Sequence, residues 1–389
     1  MGIYTEYLSG KYSFEELTAE RKKQLSQISQ LRNNRDVLVY ASDIQNRQRA
    51  PNSIEYSDLQ AFKDQISNLN GEAIDIILET PGGVGEIVED LVKLVRSKYN
   101  EVGIIIPGTA KSAGTIFAMA GDEILMSSSS SLGPIDAQIM TNSKKFSADA
   151  FLEGLEKIKA DVLATGRLNP AYIPILQNIS PGEIQNCENA QKFSQILVRE
   201  WLRTYKFAKW THHSSTGELV TDDEKANKAK EIAEKLCKHS DWLTHGRSIK
   251  IGELENIGLK IINYEQIPEL DDAISRYYTL LQIVFETTNI YKVIETTTSQ
   301  ILRYATPEVN NAAKKEAIQA TEASFMFKCP KCHQEYGIVA RFDKNVKITP
   351  PNVDFPENNI FVCSKCGSAS NLINARIQIE SQSGKKIIH

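Results

Sequence analysis

At 389 residues the chain is too long for one typical domain and predicts two or three. Its 41% hydrophobic and 24% charged residues mark ordinary globular material, and a net charge of -4 gives no support for a nucleic-acid binder overall. With no run of 18 apolar residues and no basic-then-apolar amino terminus, the sequence predicts a soluble cytoplasmic protein without a membrane anchor.

In chain order, residues 13 to 35 read as a helix. Ser13 caps it, Glu16 completes a capping box, and Leu17, Leu25, Ile28 and Leu31 share a face. Asp36 to Ala41 reads as the first core strand, Ser57 to Leu69 as a second helix. Ala73 to Leu78 and Val102 to Pro107 are β-branched runs, each followed by a turn of small residues and then helical spacing. Two strand-turn-helix units in succession predict a parallel sheet with crossover helices, its ligand crevice at the carboxyl ends of the strands.

The two turns carry the chemistry. Ser112 stands just after a strand and just before a helix, where a side-chain oxygen is exposed and helix-start amides face developing negative charge. Gly82 and Gly83 follow Pro81 and let the backbone approach a ligand closely. Nucleophile and oxyanion hole are thus outlined, with Gly83 and Ala113 as the donors and Gly82 as the other choice. Singly, Pro-Gly-Gly is also a common turn, and a serine before a helix is also an N-cap.

Together, Thr80-Pro81-Gly82-Gly83, Ser112-Ala113-Gly114 and Ser131-Leu132-Gly133-Pro134-Ile135-Asp136-Ala137-Gln138 resemble the core of Clp-protease and crotonase-fold serine peptidases. The resemblance is to the signal-peptide-peptidase-A-like subgroup, often labelled serine dehydrogenase proteinase. Trp242-Leu243-Thr244-His245-Gly246-Arg247-Ser248-Ile249 is similar to a segment that closes the domain there. It implies an α/β, crotonase-like (ClpP-like) spiral of βαβ units with added helices, a polypeptide substrate and a homo-oligomer. Membrane-anchored relatives act on signal peptides or membrane proteins. That substrate class is not carried over to a chain read as having no anchor.

The general base is open in the sequence. A helix from about Ala148 to Ala164 puts Lys159 on a face with Leu152, Leu155 and Val162, where desolvation would lower its pKa toward a neutral base; snorkelling to water is the ordinary alternative. Relatives with a Ser-Lys dyad place the lysine some tens of residues after the serine, which fits Lys159 and Lys157 and favours Lys159 by its facing. Clp-type relatives use a histidine on the segment that here carries Asp136, so Asp136 is assigned to orienting a base or binding amides. His245, after an aromatic-apolar run and before Gly246, is the second candidate base.

Residues 183 to 208 and 222 to 239 read as helices covering the site or a subunit contact, and Tyr277 to Ile294 as one more apolar helix. Asn310 to Ala323 reads as a helical connector. Beyond it, Cys329-Pro330-Lys331-Cys332 and Cys363-Ser364-Lys365-Cys366 are two CxxC knuckles whose four thiolates close a tetrahedral site, predicting a small β zinc ribbon with one structural Zn2+ per chain. A slight excess of Lys and Arg over Asp and Glu around it leaves a protein or a nucleic-acid partner open. The expected layout is an N-terminal helix over 1–35, the peptidase domain over 36–265, a helical connector over 266–324 and the ribbon over 325–389. Two other readings stand beside the serine peptidase: an acyl-CoA enzyme on the same fold, and a non-catalytic oligomeric scaffold recruiting partners through the ribbon.

Overall fold

The computed structural model describes residues 2–10, 12–46, 50–140, 145–213, 216–305, 321–344, 346–383 and 385–388. The chain divides into two compact units, Met1–Ala305 and Thr306–His389. No helix among the described residues is long and apolar enough to cross a membrane.

The first unit is built on a seven-stranded sheet. In chain order its members are β1 (Asp36–Ser42), β2 (Ala73–Glu79), β3 (Glu101–Ile106), β5 (Glu123–Met126), β9 (Ile262–Asn263), β10 (Ile290–Thr296) and β11 (Gln300–Tyr304). They lie side by side as β11-β10-β1-β2-β3-β5-β9, parallel from β1 to β9 and antiparallel at β10 and β11. Strand alternation divides the side chains between two cores. Leu38, Tyr40, Ile76 and Ile104 face α3 (Asp58–Ser67), α4 (Gly85–Arg96), α8 (Pro181–Trp201) and α9 (Asp222–Cys237). Val39, Ile77 and Ile105 face α2 (Phe14–Leu31) and α12 (Pro268–Thr287). Ser13 and Glu16 form the expected capping box on α2.

The segment 266–324 departs from the expected connector, and 1–35 is not a separate piece. The helix read from Tyr277 to Ile294 stops at Thr287; the β-branched run from Ile290 to Thr296 pairs with β1 instead. Consecutive Thr287, Thr288 and Asn289 are poor helix formers, and an unpaired edge of β1 is the alternative to that strand. Both α2 and α12 belong to the same buried core. The expected helix over 310–323 falls mostly outside the described residues.

Short pairings at the carboxyl ends of the strands form a second layer. Thr80 bridges Ala110 in β4 (Thr109–Ala110), β4 pairs with β6 (Ser131–Leu132), Leu132 bridges Ile249, and Ile54 bridges Gly83. These contacts bind the turns after β2 and β3 to each other and to the 247–249 segment.

The second unit has β12 (Glu322–Lys328), β13 (Glu335–Arg341) and β14 (Val353–Asp354) in one sheet, and β15 (Ile360–Val362) with β16 (Ala369–Asn371) in a hairpin. Its core holds Ile338, Phe355, Phe361, Cys329 and Cys363.

An ion pair is buried in the first unit where β10 meets α3. Lys292 Nζ lies 2.8 Å from Asp58 Oδ2 and both side chains are closed to solvent, with Tyr40 donating its hydroxyl to the same carboxylate. Removing Lys292 leaves the buried carboxylate with the more distant Arg303, its Nε 3.6 Å from Oδ1, as its charged partner. Lys292→Met should therefore lower the unfolding free energy by about 3 kcal/mol, read as a shifted urea midpoint at unchanged slope.

Candidate active site and cysteine cluster

Ser112 begins helix α5 (Ala113–Ala118) with φ 50° and ψ -117°. A side-chain-bearing residue in that region is strained by roughly 1–3 kcal/mol and persists only where its surroundings hold it. Its hydroxyl makes no cap hydrogen bond to the helix, so the N-cap role is not what it does here. The sharp strand-to-helix turn presents a partly exposed oxygen above the ends of the strands.

Three contacts hold the turn. Lys111 N–H donates to Thr80 O at 3.0 Å, and Thr80 N–H donates to Thr109 O at 2.9 Å. Thr115 Oγ1 donates to Ala110 O and accepts from Gly133 N–H, each at 2.9 Å. Lys111 Nζ donates to Leu132 O at 3.0 Å and to Arg247 O and Ser248 Oγ at 2.9 Å each. Burial, reinforced by Lys250 and opposed by Glu253, brings that ammonium down to about 8. With three acceptors on its three protons, Lys111 serves as a strut.

The Gly82 turn packs directly on this elbow. A Cβ on Gly82 would stand 2.8 Å from both Lys111 O and Ser112 Cβ and 3.3 Å from Ala113 N, and its φ of +105° is itself a glycine conformation. Gly82 N–H is committed to Thr80 Oγ1 at 3.2 Å, while Gly82 O and Val84 N–H are committed to Ile54. Among the described residues the N–H groups of Gly83 and Ala113 have no hydrogen-bond partner. Gly83 is exposed and follows the glycine that packs on the elbow, and Ala113 is the residue next after Ser112.

Asp136 is closed to solvent and shared by two histidines. His245 Nδ1 lies 2.7 Å from Oδ1, His239 Nδ1 lies 2.9 Å from Oδ2, and Gln138 Nε2 donates to Oδ2 at 2.9 Å. Burial alone would raise the carboxyl; hydrogen bonding and charge from His245, then the bonds from His239 and Ser147, outweigh it and hold the group below its ordinary value. An Nδ1–H on the carboxylate leaves His245 Nε2 as the basic nitrogen. The arrangement fits the base-orienting role expected of Asp136.

The lysines on α6 (Ala148–Thr165) lie otherwise than the helical spacing suggested. Lys159 is 65% exposed and ion-paired with Glu156 at 3.2 Å; Lys157 is 79% exposed and stands 4.0 Å from Glu153. The face assigned to Lys159 is only half covered, with Leu152, Leu155 and Val162 partly buried.

His239 and Lys111 were not singled out by sequence reasoning. His239 opens the short helix His239–Trp242, two residues after the end of α9 (Asp222–Cys237), and no local motif marks it. Lys111 stands inside the Ser112 motif, where its neighbour drew the attention.

In the second unit the sulfurs of Cys329, Cys332, Cys363 and Cys366 all lie within 4.8 Å of one another. Cys329 Sγ and Cys366 Sγ are 3.7 Å apart, Cys332 Sγ and Cys363 Sγ 3.6 Å. Four thiolates about 2.3 Å from a tetrahedral zinc stand about 3.8 Å from one another, so the donor set fits the ion. Each knuckle closes on a residue in the left-handed region, His333 at φ 58° and Gly367 at φ 72°. Their N–H groups donate back to Cys329 O and Cys363 O at 2.9 Å.

The family model of ClpP-like SDH-type serine proteinases matches residues 54–187, which include Gly82, Gly83, Ser112 and Asp136 but neither histidine. Two uncharacterized proteins of Methanocaldococcus jannaschii, MJ1495 and MJ0137, are 27% identical over 188 residues and 28% over 145, covering 48% and 36% of this chain. The chain spans about half the length of these curated relatives, 51% and 47%. Two solved structures of 1510-N, a membrane-bound stomatin-specific protease, align at 16% identity with a TM-score of 0.33. One, a serine-to-alanine mutant, covers 56% of this chain and 79% of that one; the other, a lysine-to-alanine mutant with a substrate peptide, covers 67% and 91%.

Strain at Ser112 and close packing at Gly82 make opposite predictions. Ser112→Gly should raise the unfolding free energy by about 1 kcal/mol, because glycine adopts this backbone freely. Gly82→Ala should lower it, since the new methyl meets the elbow itself. Chemical denaturation of the two variants beside the parent checks both signs.

Proposed function

We propose that the ClpP-like SDH-type serine proteinase domain of this chain hydrolyses peptide bonds with Ser112 as nucleophile and His245 as general base. The observation that carries this reading is the strained, uncapped Ser112 packed against Gly82, with the amides of Gly83 and Ala113 unengaged among the described residues. Polarity and position there match what acyl transfer needs: a reactive oxygen beside donors aimed at developing charge.

Ser112 Oγ attacks the carbonyl carbon of the scissile bond, and its proton passes to His245 Nε2. The carbonyl oxygen, now an anion, is held by the Gly83 and Ala113 amides. As the tetrahedral intermediate collapses, the amine leaves with the proton from His245. Water then attacks the ester on Ser112, giving a proton to the same nitrogen, and the serine oxygen takes that proton back as the acid departs.

His245 is preferred to Lys159 for a physical reason. A lysine acts as base near neutral pH only when burial strips its ammonium of water, and Lys159 is exposed and paired with Glu156. His245 has its Nδ1 on a buried carboxylate, the support a catalytic imidazole requires. Lys111 supports its approach, tying the Ser112 turn to the carbonyl of Arg247, two residues beyond His245. Polypeptide substrate and homo-oligomeric assembly complete the proposal on the strength of the family likeness.

For the second unit we propose one structural zinc held by Cys329, Cys332, Cys363 and Cys366. The ion would join two knuckles whose small surrounding core is otherwise thin. The ribbon is assigned to recruiting substrate or a protein or nucleic-acid partner.

Peptidase activity on an unfolded protein such as casein tests the chemistry. Ser112→Ala should abolish turnover, and His245→Gln and Asp136→Asn should each reduce kcat by roughly 10³-fold or more, while Lys159→Ala leaves it within about twofold. Loss in Lys159→Ala with activity kept in His245→Gln would replace the histidine by a Ser-Lys dyad. Stability carries a signature of Asp136 as well. Its folded pKa lies below its unfolded one, so it stabilises the fold above an ordinary Asp value of about 4, and this contribution fades as pH falls through the depressed value. Asp136→Asn should flatten that acid limb.

Metal analysis of the purified protein should find one zinc per chain. Chelation, or Cys363→Ser, should remove it and unfold the second unit, seen as lost near-ultraviolet dichroism and new protease sensitivity beyond residue 320.

A further inference from the structure

A pocket of about 540 Å³ lies far from Ser112. It opens at the amino ends of β3, β5 and β9, and Ser112 follows the carboxyl end of β3. Tyr205, Phe207 and Trp210 wall it, and Lys206, Lys228 and Lys260 point their charge into it.

Its carboxylates are already paired. Glu101 is bound by Lys209 and stands 3.5 Å from Arg35, Asp122 takes Arg96 at 2.9 Å, and Glu123 takes Arg32 at 2.5 Å. Lys228 reaches Glu231 at 3.4 Å. Lys206 and Lys260 are different: among the described residues neither has a carboxylate within 4.0 Å. The sole acceptor of Lys206 is the carbonyl of Asp122, at 3.3 Å. Burial pulls its ammonium down to about 8; Glu123 opposes this, Lys260 adds to it and Asp122 opposes it. Two like charges line a partly dry space, and that of Lys260 disfavours the charged form of Lys206.

The backbone is shaped to create that situation. Leu202–Lys206 is a π-helical turn closed by Phe207 N–H donating to Leu202 O at 2.8 Å. Such a turn holds one residue more than the α-helix, costs stability and recurs at functional sites. Here it delivers Tyr205, Lys206 and Phe207 to one wall of the pocket.

We infer that this pocket binds a small organic anion, a carboxylate or phosphate carried on an apolar or aromatic body. Lys206 and Lys260 take the charged end, and Tyr205, Phe207 and Trp210 take the body. The site is independent of the peptidase reading, because it shares no residue with the Ser112 cluster.

Trp210 in the wall reports occupancy by its fluorescence. Phenyl phosphate, benzoate and inorganic phosphate are titrated into the full-length protein, with calorimetry beside the optical signal. At least one organic anion should give saturable binding, weakened roughly tenfold or more in Lys206→Met and in Lys260→Met at unchanged melting temperature. Lys260 is exposed, so its variant folds whatever the fate of the other. Trp210→Phe should lose the optical signal and keep the calorimetric one. Phenyl phosphate against benzoate separates the phosphate from the carboxylate form of the ligand. No saturable binding through millimolar concentrations, or binding indifferent to both lysine changes, overturns the assignment. Inorganic phosphate binding as tightly as phenyl phosphate overturns its organic part.

Discussion

The closeness of two turns governs this molecule. Gly82 lies so near the Ser112 elbow that no β-carbon fits between them, and the left-handed backbone at Ser112 is kept by the hydrogen bonds from Thr80 on one side and Gly133 on the other. Neither turn is stable in this form by itself. Each is the wall against which the other is pressed, and the parallel strands that feed them fix the spacing.

Asp136 supplies the second constraint. A buried carboxylate needs partners, and it has two imidazoles, one on each oxygen. The 239–249 segment is bound to the elbow through Lys111 and to the carboxylate through both histidines, so charge and backbone position are coupled across the same few residues.

The sheet and its crossover helices were legible because β-branched runs and helical spacing alternate without interruption from Asp36 to Ala120. The Ser112 turn, the glycines and the four cysteines were legible for a related reason: each is a short local pattern whose chemistry depends on neighbours in sequence. His239 was not, because its meaning is a contact across more than a hundred residues. Lys159 is exposed although periodicity placed it on an apolar face. Spacing places a residue on a helix face, yet whether that face is covered is decided by tertiary packing, and α6 is half open. The same limit hid the strand after Thr287, since Ile290 to Ile294 satisfies an apolar helix or a buried strand equally well until β1 is there to receive it.

That strand changes what counts as a piece of this protein. β1 is made early and waits for β10, more than two hundred residues downstream, to cover its open edge. During synthesis the nascent sheet would present a bare row of amides and carbonyls for many seconds, at translation rates of roughly 5–20 residues per second. A shortened form ending after α9 would carry every residue of the Ser112 elbow on a sheet whose β1 edge lacks β10, an aggregation-prone edge.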